Sequence, residues 1–521
     1  MGTRTELFRM MPWNGGMNTS VNEAVIDSNE LVRADNVIFD NRAARRVREG
    51  IYYNWDDATA DTEEIIGQHF FSYGTTSRTS RLVAVSTKKE VYSHTSGGTR
   101  SNLTLTAAYP ADITKVSMIT YNNKVIIAVD GASNPVKQWT GSGNVDSVSN
   151  APSASILREH GGRIWCNDKT NLDRLHFCEI GDETKWNGSG DSGYLYIGEG
   201  DGDPEGITAI FPTHRGDLFV AKKTKLYRIS NTSDPLYAQV SLVSDGIGCV
   251  SHNSAISIDG NDVLFVSERG IHSLSATDAY GDFSSKFLSQ KIQKTFIENF
   301  DRTKLMSCFG GYIPELQSAF FTFSDSDFSG SYMNCLYIYN IELGLWSRWI
   351  DIPCESLCVA RDSDRIRLYF GGINNKIAKT QNSDFNDIDV DGNDEAVTMS
   401  VETGIIFPKG EFLIKGFKRL SINYKPEESH SLVANFKIDN HAVQNFSFST
   451  SITETPLGTM VLGTDELGGS LVLAPYTLPV DGYGRGFKLT LTHNAIDQFV
   501  EIQGFSVEFE VSGTSQEVVA N

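Results

Sequence analysis

A short β-hairpin pattern recurs between residues 77 and 380. Each copy has a turn rich in Gly, Asn, Asp or Ser, then an apolar or β-branched strand, a second turn and another short strand. The clear copies lie at 121–139, 159–180, 213–230, 258–274 and 361–380, and looser copies lie at 77–94 and 316–349. A repeated unit constrains the fold strongly, because each copy must stack on its neighbours to bury its apolar face.

The spacing of the copies indicates the architecture. Equivalent turns, such as those at 122 and 161 or at 215 and 259, are separated by roughly the 40 to 50 residues of a β-propeller blade. A further strand precedes several copies, as in DITKVSMIT and GITAIFP, which brings each unit towards the four strands of a blade. We therefore predict an all-β chain that contains a β-propeller of six or seven blades.

The pattern changes on both sides of the repeats, and the 521 residues suffice for more than one domain. Residues 1–55 carry few strand signals and are predicted to form an extended N-terminal arm. The propeller is assigned to 56–382 and an acidic linker to 383–396. Residues 397–521 alternate apolar and polar positions, which is typical of an antiparallel β-sandwich. Segment 284–300 has the spacing of an amphipathic helix inserted between blades, with Phe287, Ile292, Phe296 and Ile297 on one face.

Charge and composition exclude several classes of protein. The formal net charge of −20 disfavours stable binding to nucleic-acid phosphates, which draws on clustered Lys and Arg. No apolar run approaches the roughly 20 residues of a membrane span, and the N-terminus lacks the apolar core of a signal peptide. We expect synthesis in the cytoplasm and no membrane span. The seven cysteines are scattered without a C-x-x-C pair and are predicted to be small buried residues.

Residues with the spacing of a catalytic site do not emerge from the sequence. GDSG at 190–193 resembles the nucleophile loop of trypsin-like proteases, but Tyr194 follows where that family has Gly. We interpret these four small residues as a turn. The ten histidines are dispersed, without the spacing of metal ligands. We therefore expect no enzymatic activity and no cofactor.

One acidic stretch has part of the spacing of a calcium loop. Asp387, Asp389 and Asp391 precede Gly392 as in the first half of an EF-hand, where alternate carboxylates converge on the ion. Thr398 stands where that loop needs a bidentate Glu. We interpret the stretch as a solvated interdomain linker, with a calcium site as the alternative.

Four arginines form the strongest basic cluster in the chain. They are Arg42, Arg45, Arg46 and Arg48. Guanidinium groups pair well with carboxylates, and the chain is acidic overall. We predict that the cluster is an interface that neutralises carboxylates of a neighbouring subunit, with nucleic acid as the alternative partner.

Several stretches resemble, in the same order along the chain, the tail nozzle or hub proteins of short-tailed bacteriophages. Segment 13–50 resembles the opening segment of that family, with a Gly-Gly-Leu-Asn-like start, an Ala-x-Asn and a basic exit. The matching residues are Gly15, Gly16, Asn18, Ala34, Asn36, Arg46 and Gly50. Further matches follow at 198–210, at VLFVSERGIHSL with LSQKI downstream, and at 401–407 leading into FKRLSINY. The resemblance spans most of the chain, and related propellers also serve as head-to-tail stabilising proteins.

The resemblance implies a structural protein of the virion tail. It implies a homohexameric ring at the distal end of the tail tube, which closes the DNA channel, anchors fibres or spikes and lets the genome pass on ejection. The ring would contact an adaptor or portal-side ring. DNA would pass without stable binding, and the acidic charge predicts a lumen that repels its phosphates.

Two other classes of function stay open from the residues. A propeller that binds or depolymerises carbohydrate predicts paired carboxylates opposite one another at the propeller mouth. A propeller that acts as an interaction scaffold predicts a stable monomer that binds peptides.

Overall fold

The computed structural model divides the chain into two compact units. It describes residues 5–39, 45–55, 63–95, 100–203, 205–274, 288–328, 330, 332–352, 354–362, 365–372, 376–381, 384–388, 392–425, 430–450 and 475–514. The sandwich unit comprises Met1–Tyr52, Ile338–Ile350 and Gln381–Asn521. The propeller unit comprises Tyr53–Tyr337 and Asp351–Thr380.

Seven groups of consecutive strands follow one another along the described part of the propeller unit, and the first five of them are separate sheets. The four-stranded sheets are β6 (Ile65–Tyr73), β7 (Thr79–Ser86), β8 (Val91–His94), β9 (Arg100–Leu103); β10 (Val116–Tyr121), β11 (Lys124–Val129), β12 (Lys137–Trp139), β13 (Asp146–Ser147); β14 (Leu157–His160), β15 (Arg163–Asn167), β16 (Arg174–Phe177), β17 (Gly193–Tyr196); and β18 (Ala209–Ile210), β19 (Leu218–Ala221), β20 (Lys225–Ser230), β21 (Gln239–Asp245). The other three contain β22 (Ile256–Ile258), β23 (Asp262–Ser267), β24 (Gly270–Ser273); β25 (Gly310–Ile313), β26 (Ser318–Phe323), β27 (Cys335–Asn340); and β29 (Ser356–Asp362), β30 (Arg365–Gly371), β31 (Ile377–Thr380).

Successive sheets pack face to face on shared apolar clusters. The rings of Phe71 in the first sheet and Trp139 in the second have centroids 5.9 Å apart. Phe211 and Phe265 join the fourth and fifth sheets with centroids 4.9 Å apart. Tyr369 of the seventh sheet lies in one buried cluster with Tyr92 of the first, so the series closes on itself. A closed ring of sequential β-meanders is a β-propeller, and the prediction of six or seven blades is confirmed with seven.

The predicted helix lies between the fifth and sixth blades. A 3-10 turn, Leu288–Ile292, leads into the α-helix α1 (Gln293–Glu298). Ile292 and Phe296 are buried, whereas Ile297, expected on the same face, is 55% exposed, and Phe287 lies outside the described residues. Short 3-10 turns also occur at Pro235–Tyr237, His252–Ser254, Leu305–Ser307 and Pro314–Leu316. No helix in the described residues has the length and apolar character that a membrane span requires.

Two sheets build the sandwich unit. One has the order β3 (Val37–Phe39), β4 (Arg45–Val47), β40 (Glu501–Thr514), β35 (Leu413–Tyr424) and β38 (Pro475–Gly484), and β1 (Thr5–Met10) also pairs with β40. The other has the order β28 (Leu345–Ile350), β2 (Leu31–Asp35), β34 (Met399–Thr403), β39 (Phe487–His493), β36 (His430–Ile438) and β37 (Gln444–Thr450). The short strands β32 (Asn386–Ile388) and β33 (Asp394–Ala396) pair with each other, and Ile388 pairs with Tyr52 of β5 (Ile51–Trp55).

A cluster of phenylalanines joins the two main sheets of this unit. Phe487 of β39 lies with its ring centroid 5.6 Å from Phe417 of β35 and 6.2 Å from Phe505 of β40. Phe436 of β36 stacks on Phe487 at 5.0 Å. All four side chains are buried. Two sheets that face each other across an aromatic core form a β-sandwich, as the alternating pattern after residue 397 predicts.

The N-terminal residues belong to this sandwich rather than to a separate extended arm. Strand β1 pairs with β40 from Thr5–Glu510 to Met10–Phe505, and β2 pairs with β34. Residues of the expected linker 383–396 likewise form β32 and β33 within the same unit. The strands are short, and β1 pairs with residues about 500 positions away, so no local pattern could reveal the pairing.

The cysteines lie mostly in the interior. Six of the seven are buried, and Cys358 is partly exposed. All seven are free thiols. Burial raises the pKa of Cys249 and of Cys358 to about 12, which keeps both protonated at neutral pH.

Buried histidines predict acid sensitivity of the propeller unit. Burial, with a contribution from Arg269, lowers the pKa of His272 from near 6.5 to about 4. Because the unfolded chain binds this proton at higher pH, stability is full above pH 6.5 and falls as the pH drops towards 4. The loss from His272 alone is roughly 3 kcal/mol. Denaturant unfolding at pH 7, 5.5 and 4 measures it. His272→Gln should fall less steeply than wild type, and an equal fall in both proteins would contradict the assignment.

Candidate functional site

Arg45 is a structural residue of the sandwich unit. Its side chain is fully buried, and its guanidinium donates to the backbone oxygens of Trp13 and Gly15, the latter at 2.6 Å. The guanidinium carbon also lies 4.1 Å from the ring centroid of Trp13. Burial lowers the pKa of Arg45 well below its ordinary value. The guanidinium thus holds the opening segment against β4 through backbone oxygens and an aromatic face.

Arg48 forms a two-pronged ion pair with Asp387 inside the same unit. The Nη1–Oδ1 and Nη2–Oδ2 distances are 2.8 and 2.6 Å, and Arg48 is 1% exposed. Arg48 Nε donates to Asn36 Oδ1 at 3.0 Å. The amide of Ile51 also donates to Asp387 Oδ1. This geometry is the strong, planar form of a carboxylate–guanidinium contact.

These contacts correct two predictions made from the sequence. Arg45 and Arg48 are buried by their own chain, so they do not present charge to a neighbouring subunit. Arg46 is partly exposed, at 4.0 Å from Glu49, and stays the candidate for such a contact, while Arg42 lies outside the described residues. The carboxylate of Asp387 is occupied by Arg48 instead of being free for calcium. Asp389 and Asp391 lie outside the described residues, and no group of three possible metal ligands occurs among those described.

The residues that resemble the phage family occupy sterically constrained positions. A Cβ on Gly15 would lie 2.0 Å from the oxygen of Asn29, and one on Gly50 would lie 1.8 Å from the oxygen of Asn386. Asn36 adopts a left-handed φ of 54°, and its amide donates to the Thr398 oxygen at 2.9 Å. These positions each accept few residue types, because close approach or positive φ excludes most side chains.

Three more members of that motif are constrained as well, whereas Arg46 is partly exposed. A Cβ on Gly16 would lie 2.9 Å from atoms of Leu345 and Trp346. Asn18 is buried and donates to Glu30 Oε2 at 2.6 Å, and Ala34 is fully buried in β2. The motif therefore describes how segment 13–50 is fastened into the sandwich unit.

The acidic loop of the second motif, 198–210, surrounds a buried lysine. Lys222 Nζ is fully buried and lies 2.6 Å from Asp173 Oδ1 and 2.9 Å from Asp201 Oδ1. Asp203 accepts from the amide and hydroxyl of Thr224. Lysine thus supplies the positive charge between these carboxylates, and the loop is a structural ion network.

The GDSG turn is also structural. Ser192 is buried, and its hydroxyl donates to the Ser189 oxygen at 2.8 Å. The interpretation of this stretch as a turn agrees with that contact.

A cavity of about 530 Å³ lies at one end of the propeller ring, and all seven blades contribute to its lining. We call it the mouth cavity. A second cavity of about 400 Å³, the axial cavity, shares Val116, Ser117, His252, Asn253 and Phe309 with it. Because every blade contributes, both cavities lie along the axis of the ring. Their volumes fall in the range of small-molecule sites.

The mouth residues share one place in the repeat, which the sequence pattern did not identify. Glu64, Lys115 and Glu355 each stand immediately before the first strand of their blade. Ile156, Thr208 and Phe309 stand at the same place in three other blades. The residue before the first strand of each repeat could be located in the sequence. Assigning it to the mouth cavity requires knowing that the first strand of each blade is the innermost one.

Most charges in the mouth cavity are neutralised locally. Asp130 accepts hydrogen bonds from the amides of Thr114 and Lys115. Asp168 accepts from Thr170, Asn171 and His176. Glu205 accepts from Lys223, and Lys169 donates to three backbone oxygens. Glu64 and Glu355 have no ion-pair partner in the part of the chain that the structure describes. Burial raises the pKa of Glu355, and the neighbouring Glu64 raises it further. Burial lowers the pKa of Lys115, whose Nζ lies 3.6 Å from Met306 Sδ.

Comparisons with known proteins give structural likenesses alone. No protein-family model and no curated protein matches the chain. The WD40 β-propeller domain of Doa1 is similar with 10% identity and a TM-score of 0.40, over 64% of this chain and 97% of that one. YCF48 from Cyanidioschyzon merolae is similar with 10% identity and a TM-score of 0.35, over 62% of this chain and 99% of that one. An exo-β-1,3-galactanase from Phanerochaete chrysosporium is similar with 10% identity and a TM-score of 0.28, over 89% of this chain and 100% of that one. Likenesses at these values carry no argument about function.

The Arg48–Asp387 pair gives a prediction about stability. Arg48→Met removes both guanidinium donors from the Asp387 carboxylate and one of the donors to the Asn36 side-chain oxygen, so unfolding of the sandwich unit should need about 3 kcal/mol less free energy. Arg46→Met is the matched control on the same strand region and should cost less than about 1 kcal/mol, since its ion pair is long and partly solvated. Denaturant titration followed by circular dichroism measures both. Equal losses in the two variants would contradict the interior role of Arg48.

Proposed function

We propose that this chain is a structural protein of a short-tailed bacteriophage tail, a nozzle or hub subunit. In this proposal six copies form a ring at the distal end of the tail tube. The ring closes the DNA channel, anchors fibres or spikes and contacts an adaptor or portal-side ring. It lets the genome pass without stable binding, and it acts without catalysis in the virion.

One observation carries the proposal. Six of the seven residues that resemble the nozzle family in segment 13–50, all but Arg46, occupy positions constrained by close packing, positive φ or buried hydrogen bonds. If glycines and asparagines matched the family by chance, we would not expect the matches to fall on sterically constrained positions. The resemblance therefore involves residues that hold segment 13–50 in the sandwich unit.

Charge supports the same proposal. A chain of net charge −20 that surrounds a channel repels the phosphates of DNA and favours fast passage. Arg46 is partly exposed and is proposed to meet a carboxylate of a neighbouring subunit. Assembly into a closed ring follows from one heterologous interface repeated around an axis.

The proposal predicts that the protein is a component of purified phage particles. Mass spectrometry of virions of the phage that encodes the chain should find it, with about six copies for each tail by quantitative peptide standards. Native mass spectrometry of the purified protein at low salt should show hexamers or their subassemblies.

Two outcomes separate the rival functions. Absence from particles together with a stable monomer that binds host peptides would contradict the tail assignment and favour an interaction scaffold. Hydrolysis of a surface polysaccharide by the purified protein, abolished by Glu64→Gln, would favour the carbohydrate alternative. Glu64 and Glu355 occupy neighbouring blades, whereas that alternative predicts carboxylates that oppose each other.

A further inference from the structure

Arg158 brings a positive charge to the axial cavity. It stands in β14, the first strand of the third blade, and lines the cavity together with residues of the other six blades. Its Nε donates at 3.0 Å to the backbone oxygen of Ile210, in the first strand of the fourth blade. The charge of Arg158 also acts on His252, another lining residue. The guanidinium is therefore held between the inner strands of two neighbouring blades.

The far end of this guanidinium is unpaired. Nη1 and Nη2 of Arg158 make no hydrogen bond or ion pair in the described structure, and both remain accessible to solvent. Because Nε makes the fixed contact, the two terminal nitrogens stay available as a pair of donors. Two N–H donors of a guanidinium match the two oxygens of a carboxylate or of a phosphate group.

No negative charge balances Arg158 inside the cavity. The described lining residues include no Asp, Glu or Lys, and Arg158 is the only Arg among them. Burial lowers the pKa of Arg158 to about 10, so it is still charged at neutral pH. Burial lowers the pKa of His69 to about 4 and that of His252 well below its ordinary value. Tyr312 and Cys358 are neutral, because burial raises both pKa values to about 12.

Two other buried cations of the propeller unit have partners, in contrast to the end of Arg158. Lys222 pairs with two carboxylates, and Lys137 donates to a backbone oxygen and lies 4.8 Å from the ring centroid of Tyr109. A cation in a partly buried space loses hydration, and a counter-charge or good acceptors must offset that loss. An anion in the axial cavity would supply both to Arg158.

We propose that the axial cavity is a binding site for a small anion, whose carboxylate or phosphate oxygens accept from Nη1 and Nη2 of Arg158. The volume of about 400 Å³ suits a ligand of this size. Ser257 also lines the cavity, and its hydroxyl has no hydrogen-bond partner among the described residues, so it is available as a further donor. Two sources supply this chemistry, a free anion and an Asp or Glu side chain of a partner protein.

The test uses the full-length protein and isothermal titration calorimetry in Tris buffer. At about 0.15 M ionic strength the Debye length is about 8 Å, so the acidic surface is largely screened while contacts inside the cavity persist. The probes are inorganic phosphate, succinate and Nα-acetyl-glutamic acid amide, with Nα-acetyl-glutamine amide as the neutral analogue. At least one anionic probe should bind, and the neutral analogue should not. Binding of phosphate or succinate alone identifies a free anion as the source, and binding of the blocked glutamate identifies a side chain.

The variants give the site-specific readout. Arg158→Gln should raise the dissociation constant about tenfold or more, because a charge-assisted pair of hydrogen bonds is lost. Arg158→Lys keeps the charge without the planar pair of donors and should raise the constant severalfold. Ser257→Asp leaves Arg158 in place, brings a negative charge into the cavity and should raise the constant about tenfold or more. Lys304→Gln is the matched control, because that cation lines the mouth cavity, and the change should stay within about twofold.

Three results would overturn the proposal. They are no binding of any anionic probe, equal affinity in Arg158→Gln and wild type when both have the same melting temperature, and a loss in Lys304→Gln as large as that in Arg158→Gln. The last result would place the anion at the mouth lysines. Thermal melting shows whether each variant is folded, and Ser257→Asp decides the test if Arg158→Gln does not fold. Because none of these measurements depends on virion assembly, failure here leaves the tail assignment to its own test.

Discussion

Closure of the blade ring is the constraint on which the propeller unit depends. The first and seventh blades meet through the buried rings of Tyr92 and Tyr369 and through polar contacts of β6. The amide of Ile65 donates to the Gly372 oxygen at 3.1 Å, and the oxygen of Ile65 accepts from Ser356. A Cβ on Gly371 would lie within 2.3 Å of both Ser356 Oγ and Gln68 Nε2, so Gly is required beside this contact. Without closure, two blade faces would expose apolar surface to water.

The closure also positions the charged mouth of the ring. Glu64 and Glu355 are neighbours in space because the first and last blades meet. The next residues along each segment, Ile65 and Ser356, are in contact although they lie 291 positions apart in the sequence. Their arrangement is a consequence of ring topology, and the buried Gln68 amide belongs to the same seam. The contact between the two ends of the repeat array thus also sets the positions of two carboxylates in the mouth cavity.

The hairpin repeat predicted the propeller because local alternation and turn residues mark each blade. Its copies between 121 and 380 correspond to blade strands from β10 to β31, except that the copy at 316–349 includes part of β28, which belongs to the sandwich unit although the propeller was predicted over 56–382. The change of pattern after 397 marked the sandwich. The sequence did not reveal that β1 completes a sheet with β40, since pairing across almost the whole chain leaves no periodic signal. Nor did it reveal the partners of Arg45 and Arg48. The sequence of a basic cluster does not show whether its side chains face solvent or pair with a buried carboxylate. Only the folded chain brings Asp387 next to Arg48.

The proposed tail assignment rests on a motif in which all members but Arg46 are fixed by close packing, buried hydrogen bonds or positive φ, and on an acidic chain suited to the passage of DNA. Cryo-electron microscopy of purified particles tests it most directly. The account predicts six copies of this two-unit fold around the tail axis, with acidic side chains along the channel wall. Particles whose tail density lacks this fold, or a channel wall that is predominantly basic, would contradict it.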